Sequence, residues 1–277
     1  MSLNVLVAPP FGSNPDTAGT AIGEAREHSA NGHETWSTRV EIARRSGHPE
    51  DIQVLADEAP STAMRDAALA LADECLQQRQ HDKLPDKVFL FAGHMIDTPD
   101  RLPPRFPPDK GDIVAARIGA ALDALDAGPG DFAIAQGAAG GDILFGEACQ
   151  ARGVSLQLLL PLPEPEFIAT SVLPCSDGES WRARYLALRE RLTRSPRIMP
   201  DALGPLPREA SGKPSDPYER CNRWLLYSAL ALGRGRLRFI CLWDGGGGDG
   251  AGGTAHMVKE VTQYTGRITW LDTRELW

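Results

Sequence analysis

From Lys87 to the carboxyl end, apolar runs of strand length alternate with amphipathic segments of helix length, and this alternation restricts the chain more than any other feature. Such a pattern belongs to the α/β class, with a mostly parallel sheet flanked by helices. The strands predicted are Val88 to Ala92, Phe132 to Gln136, Leu156 to Leu160, Arg238 to Trp243 and Ile268 to Leu271, with Arg197 to Met199 a weaker sixth. Helices are predicted near Gly111 to Ala127, Gly141 to Arg152, Glu164 to Ser171, Glu179 to Arg194, Tyr218 to Leu232 and Thr254 to Tyr264. Between Pro200 and Pro217, five prolines mark a long loop, of the kind that serves as a lid or as an inert excursion.

Residues 1 to 86 read differently. Gly12 to Thr38 is rich in Gly, Ser, Thr, Asn and charge, without periodicity, and is expected to be loosely ordered or disordered. Helices are expected over Trp36 to Arg45 and over Thr62 to Gln80, where Met64, Ala68, Leu71, Cys75 and Leu76 recur at helical spacing. The expected organisation is an N-terminal, partly helical extension (1–86) followed by a Rossmann-like domain (87–277).

Three glycine-bearing segments each follow a predicted strand, and in open α/β sheets ligands sit at the carboxyl ends of strands. The first is Phe91-Ala92-Gly93-His94-Met95-Ile96-Asp97. The second, Gln136-Gly137-Ala138-Ala139-Gly140-Gly141-Asp142, runs into a helix whose first N–H groups would suit an anion. Its spacing matches neither the GxGxxG dinucleotide fingerprint nor a P-loop. Asp142 would cap that helix or accept from a ribose hydroxyl. The third runs from Trp243-Asp244-Gly245 through a glycine tract to Gly252-Gly253-Thr254. Alternatives for these segments are a plain strand-ending glycine in the first and a flexible linker in the third. Arg105, in the proline-stiffened Pro104-Arg105-Phe106-Pro107, is the candidate partner for a phosphate, with Arg101 and Arg223 as lesser ones. His94 and His256 are weak candidates for acid or base work, and no triad, nucleophile elbow or HExxH helix accompanies them.

Composition narrows the partners. A formal net charge of −8 leaves no broad basic field for duplex nucleic acid. No apolar run approaches the ~20 residues of a membrane span. The five cysteines show no zinc spacing, so reduced thiols in a cytoplasmic protein are expected, with no metal and no resident cofactor.

Together with Leu242-Trp243-Asp244-Gly245, Gly252-Gly253-Thr254, Pro104-Arg105-Phe106-Pro107 and Gly140-Gly141-Asp142-Ile143-Leu144-Phe145, the first loop resembles the SLOG/LOG superfamily of Rossmannoid nucleotide-ligand binders. Within it, the chain resembles the domain at the C-terminal end of tetratricopeptide-containing and nucleotide-cyclase-like signalling proteins. The resemblance spans about Lys87 to Trp277 and implies a nucleotide or nucleotide-derived ligand at the carboxyl edge of the sheet. It assigns ligand contact to Gly93, His94, Asp97, Arg105, Gly137, Gly140, Gly141, Asp142, Asp244, Gly245, Gly252, Gly253 and Thr254. Binding would be reported through a signalling partner or a homo-oligomer. Hydrolytic members carry Pro-Gly-Gly-x-Gly-Thr-x-x-Glu; here the glycines and Thr254 remain, but the next acidic residue is Glu260, further along the helix. That departure favours sensing over N-glycosidic hydrolysis by His94 or His256 with Asp142 or Asp244. A catalytically inactive scaffold is the third reading.

Overall fold

The computed structural model describes residues 35–79, 84–208, 211–247 and 252–277. Up to residue 34, the stretch expected to be loosely ordered lies outside the described residues, as do residues 248–251 of the third glycine loop. The chain forms two compact units, one ending at Gln78 and the other beginning at Arg79.

In the first unit, helix α1 (Trp36–Arg45) packs on α2 (Pro49–Asp57), and α3 (Thr62–Arg79) follows. The outer two were expected; α2 was not. Its start is nonetheless written locally, because Pro49 opens the helix and Glu50 and Asp51 put negative charge in its first turn. The Trp36 indole N–H donates to the Leu55 carbonyl at 2.7 Å, joining α1 to α2.

The second unit is an α/β fold built on a six-stranded, all-parallel sheet. Its strands are β1 (Val88–Gly93), β2 (Phe132–Ala135), β3 (Ser155–Leu160), β4 (Arg197–Ile198), β5 (Leu237–Trp243) and β6 (Ile268–Asp272), in spatial order 4-3-2-1-5-6. All six predicted strands are present, β4 reduced to two residues. Between them run α4 (Gly111–Ala124), α5 (Gly141–Ala151), α6 (Glu164–Ser171), α7 (Gly178–Glu190), α8 (Met199–Leu203), α9 (Pro217–Ala231) and α10 (Thr254–Thr262). The short α8 occupies the start of the segment expected to be wholly loop; Pro200 sits in its first turn, where a missing N–H costs nothing. Among the described residues, no helix is long and apolar enough to cross a membrane.

Strand periodicity builds two core layers. Phe89, Phe91, Ala133, Ala135, Leu156, Leu158, Ile240 and Leu242 join Val114, Ile118 and Leu122 of α4, Ile143 and Phe145 of α5 and Tyr185 of α7 in one buried cluster. The alternate residues Val88, Leu90, Ile134, Phe239 and Cys241 are equally buried and face away from it. On that opposite side α9 covers β1, β2 and β3, α10 covers β5 and β1, and the two helices touch. Both faces are covered, so the strands read as near-continuous apolar runs.

The connection from β1 leads to β2 on one side, while β5 lies on the other side of β1. The strand order reverses there, and such a switch point leaves a crevice beyond the carboxyl ends. Strand lengths deepen it: β1 pairs with β5 as far as Gly93 with Leu242, whereas β2 ends at Ala135 and turns away.

Candidate functional site

A cleft of about 180 Å³ occupies that crevice. The end of β1 supplies Gly93 and His94, the β2 turn supplies Gln136 and Asp142, and Arg105 comes from the proline-stiffened loop. Ser171, Tyr218 and Asn222 come from α6 and α9, and Gly252, Gly253 and Thr254 from the start of α10.

His94 is a bracket between the two switch-point loops. Its backbone N–H donates to the Leu242 carbonyl at 3.0 Å, and its Nε2 accepts the Asp244 N–H at 3.1 Å. Accepting there requires a neutral ring protonated on Nδ1. Burial, and then the nearby Arg105 charge, push the imidazole below its usual pKa, against the opposing pull of Asp244. Asp244 itself lies outside the lining; its Oδ1 accepts the Gly246 N–H at 2.8 Å and sits 3.3 Å from His94 Nε2. Burial acts to raise the Asp244 carboxyl, but the Gly246 N–H, His94 and Arg105 outweigh it and hold the group below its ordinary value.

Asp97, expected at the ligand, instead shapes the loop that carries Arg105. Its Oδ2 accepts the N–H groups of Arg105 and Phe106 at 2.8 and 2.9 Å, and its own N–H donates to the Phe106 carbonyl. A carboxylate spent on backbone donors inside its own loop fixes where Arg105 projects.

The second glycine loop also serves the protein backbone. Gly140 has φ +104°, and a Cβ there would lie 2.6 Å from Ile96 N and 3.1 Å from the His94 carbonyl oxygen. Only glycine allows both the dihedral and the approach. The loop closes on residues 94–96 through Ile96 N–H to Ala139 O and Gly141 N–H to His94 O, both 3.1 Å. Gly137, Gly140 and Gly141 therefore stand behind the cleft and do not line it. The first N–H of α5 is spent on His94, which leaves less there for an anion than the sequence suggested.

Asp142 reaches the cleft from that helix start. Its carboxylate accepts N–H groups from Gln136, at 3.2 Å, and from Gly137 and its own residue, yet only 7% of it is exposed. Burial prevails over these hydrogen bonds and pushes the carboxyl up to about 7.

The start of α10 is better suited to negative charge. Gly253 occupies the cap position without a side-chain hydrogen bond, and the first turn carries no acidic residue. Gly252 is pressed onto α9, where an added Cβ would meet Tyr218 Cβ at 2.3 Å. Asn222 ties three segments together, accepting from Gln136 Nε2 at 3.0 Å and donating to the Gly252 carbonyl at 2.8 Å. Tyr218 Oη lies 2.8 Å from Ser171 Oγ.

The structure thus brings Gly93, His94, Arg105, Asp142, Gly252, Gly253 and Thr254 into one cleft, leaves Asp97, Gly137, Gly140, Gly141 and Asp244 as its supports, and places Gly245 outside the lining, against Arg274. His256 is outside the lining, its Nε2 3.9 Å from both Glu219 and Glu260. Arg223 is outside it too, while its neighbour Asn222 lines it. Gln136, Ser171, Tyr218 and Asn222 were missed; the available signal was an amide at 222 within the stripe formed by Cys221, Leu225 and Ala229. No protein-family model matches this chain, and no curated protein matches it.

Proposed function

We propose that the unit from Arg79 to Trp277 binds a nucleotide or nucleotide-derived small molecule in this cleft, as its resemblance to the SLOG/LOG superfamily implies. The observation that carries the reading is the meeting of Arg105 with the side-chain-uncapped start of α10 in one crevice at the strand-order reversal. In this reading Arg105 and the Gly253 and Thr254 amides hold a phosphate, and Asp142 and Asn222 accept or donate to sugar hydroxyls. A volume of about 180 Å³ is below the ~300–1,000 Å³ of pockets that enclose whole drug-sized ligands. The cleft therefore takes the sugar-phosphate part and leaves the base at its mouth, beside Trp243.

One observation favours a second reading, in which the bound nucleotide is hydrolysed at its N-glycosidic bond. A carboxyl pushed up to about 7 by burial is matched to proton transfer near neutral pH, and Asp142 is such a group. Water would add at C1′ as the bond to the base breaks, with Asp142 relaying a proton. The distance of Glu260 from the loop weighs against it, and binding without turnover is the preferred reading.

A thermal-shift panel of mono-, di- and cyclic nucleotides and NAD derivatives tests the proposal, since a ligand of the folded state raises the midpoint as its concentration rises. Stabilisation without release of free base is the expected result. Free base whose release is lost in Asp142→Asn would establish the second reading, and no stabilisation by any of these ligands would overturn both.

A further inference from the structure

At the amino ends of the strands, arginine is concentrated in a way the cleft does not explain. Arg234, Arg236 and Arg238 run into β5 and Arg267 precedes β6, about 20 Å from the cleft along a seven-residue strand. The chain carries 37 acidic against 29 basic side chains. Elsewhere in this unit several arginines find carboxylates: Arg152 pairs with Asp123, Arg184 with Glu147, Arg189 with Glu164 and Arg274 with Asp272.

The arginines of the rim are bound differently. Arg234 Nε donates to the Tyr264 carbonyl and Arg236 Nη1 to the Pro85 carbonyl, each at 2.6 Å. Arg238 Nη1 and Arg267 Nη1 donate to the same acceptor, the Gly235 carbonyl, at 3.1 and 2.6 Å. Sharing one oxygen keeps those two nitrogens within about 6 Å of each other. Among the described residues, none of the four has a carboxylate within ion-pair distance. The acidic group that acts on Arg238 is Asp131, which is itself engaged with Lys87 and the Gly128 N–H. Burial and the Arg267 charge both push the Arg238 guanidinium below its usual pKa, as expected of like charges held together.

A carbonyl bond orients a guanidinium without neutralising it, and each arginine keeps donors for a further partner. Two oriented, uncompensated forks meeting at one carbonyl, as those of Arg238 and Arg267 do, suit a compact dianion better than a lone carboxylate. We propose that Arg238 and Arg267, on the rim that also carries Arg234 and Arg236, form a binding site for a phosphate-type dianion at the amino ends of the strands, opposite the cleft. The ligand is either a free oligophosphate or a phosphoryl group on a protein segment.

Calorimetric titration with inorganic pyrophosphate at low salt, against sodium chloride of matched ionic strength, tests the site. Specific binding is expected, weakened about tenfold or more in Arg238→Gln and in Arg267→Gln. Because the cleft is itself proposed to hold a phosphate, the titrations are repeated in the Arg105→Ala background, where the same weakening by Arg238→Gln and by Arg267→Gln is expected. Arg267→Lys keeps the charge without the fork and should fall between wild type and Arg267→Gln, with circular dichroism checking that each variant is folded. In the Arg105→Ala background, absence of pyrophosphate binding, a response matched by chloride, or unchanged binding when Arg238→Gln and Arg267→Gln are added together would overturn the site. A phosphoserine peptide binding more tightly than pyrophosphate assigns the source to a phosphorylated segment, and the reverse order to a free oligophosphate; either supports the site.

Discussion

Replacing Asp142 by Asn should change how stability depends on pH. In the folded chain the Asp142 carboxyl titrates at about 7, raised by burial, whereas an unfolded aspartate titrates near ~3.9. Between those values the folded state holds a proton that the unfolded state has released. The contribution is therefore full below pH ~4 and is lost as pH rises, at about 1.4 kcal/mol per unit, until it levels off above pH ~7. Over about three units the loss is of order 4 kcal/mol. The amide introduced by Asp142→Asn has no such proton; it keeps one oxygen for the Gln136 N–H but presents an NH₂ where the second oxygen accepted, at a cost of about 1–3 kcal/mol. The variant should be the less stable protein at pH 4.5 and equal or more stable at pH 8. Urea unfolding at both pH values and fixed ionic strength measures this, and other groups cancel in the difference. The stability advantage of wild type should fall by about 3 kcal/mol between the two conditions. A difference constant to within about 0.5 kcal/mol would refute the reasoning, because a carboxyl at its ordinary value gives no pH-dependent term in this range.

His94 carries a term of the opposite sign. Its pKa is lowered in the folded state, so its contribution to stability is lost as pH falls through the ordinary histidine value of 6.5, and wild type should gain on His94→Asn between pH 5 and pH 7.5. An advantage that does not change with pH would contradict the neutral, bracketing role. Gly140→Ala meets both a glycine-only dihedral and a backbone nitrogen at 2.6 Å, and should cost about 3 kcal/mol or more; a melting temperature within a degree of wild type would contradict it. Asn222→Ala strands the Gln136 amide and the Gly252 carbonyl, so about 2–4 kcal/mol of stability should go, and nucleotide affinity with it. Arg223→Ala should leave nucleotide affinity near wild type, and equal losses of affinity in the two variants would reject the assignment of the cleft face of α9.

The sheet was legible because the central strands β1, β2, β3 and β5 are buried on both faces and so stand out as apolar runs between helical periods, while the edge strands β4 and β6 are only partly buried. Helix α2 is easily passed over because Pro49-Glu50-Asp51 reads as loop until its place as a first helical turn is weighed. The site was legible where chain order and space coincide, as in Gly93-His94 directly after β1 and Gly252-Gly253-Thr254 at the start of α10. It was illegible where tertiary structure decides. Whether 222 or 223 faces the cleft is a rotation of about 100° around a helix, set by how α9 crosses β1 to β3. Glycine was the least specific signal. Gly140 and Gly141 look like amides offered to a phosphate, yet they admit the backbone of residues 94–96, because a Cβ is excluded as firmly by a neighbouring loop as by a ligand.

The central claim is that Arg105 and the start of α10 hold the phosphate of a nucleotide-type ligand. Isothermal titration with the nucleotide that most stabilises the protein, run on wild type, Arg105→Ala and Arg267→Ala, tests it most directly. One-site binding should weaken about tenfold or more in Arg105→Ala and remain at wild-type strength in Arg267→Ala. Affinity unchanged by Arg105→Ala would contradict the account.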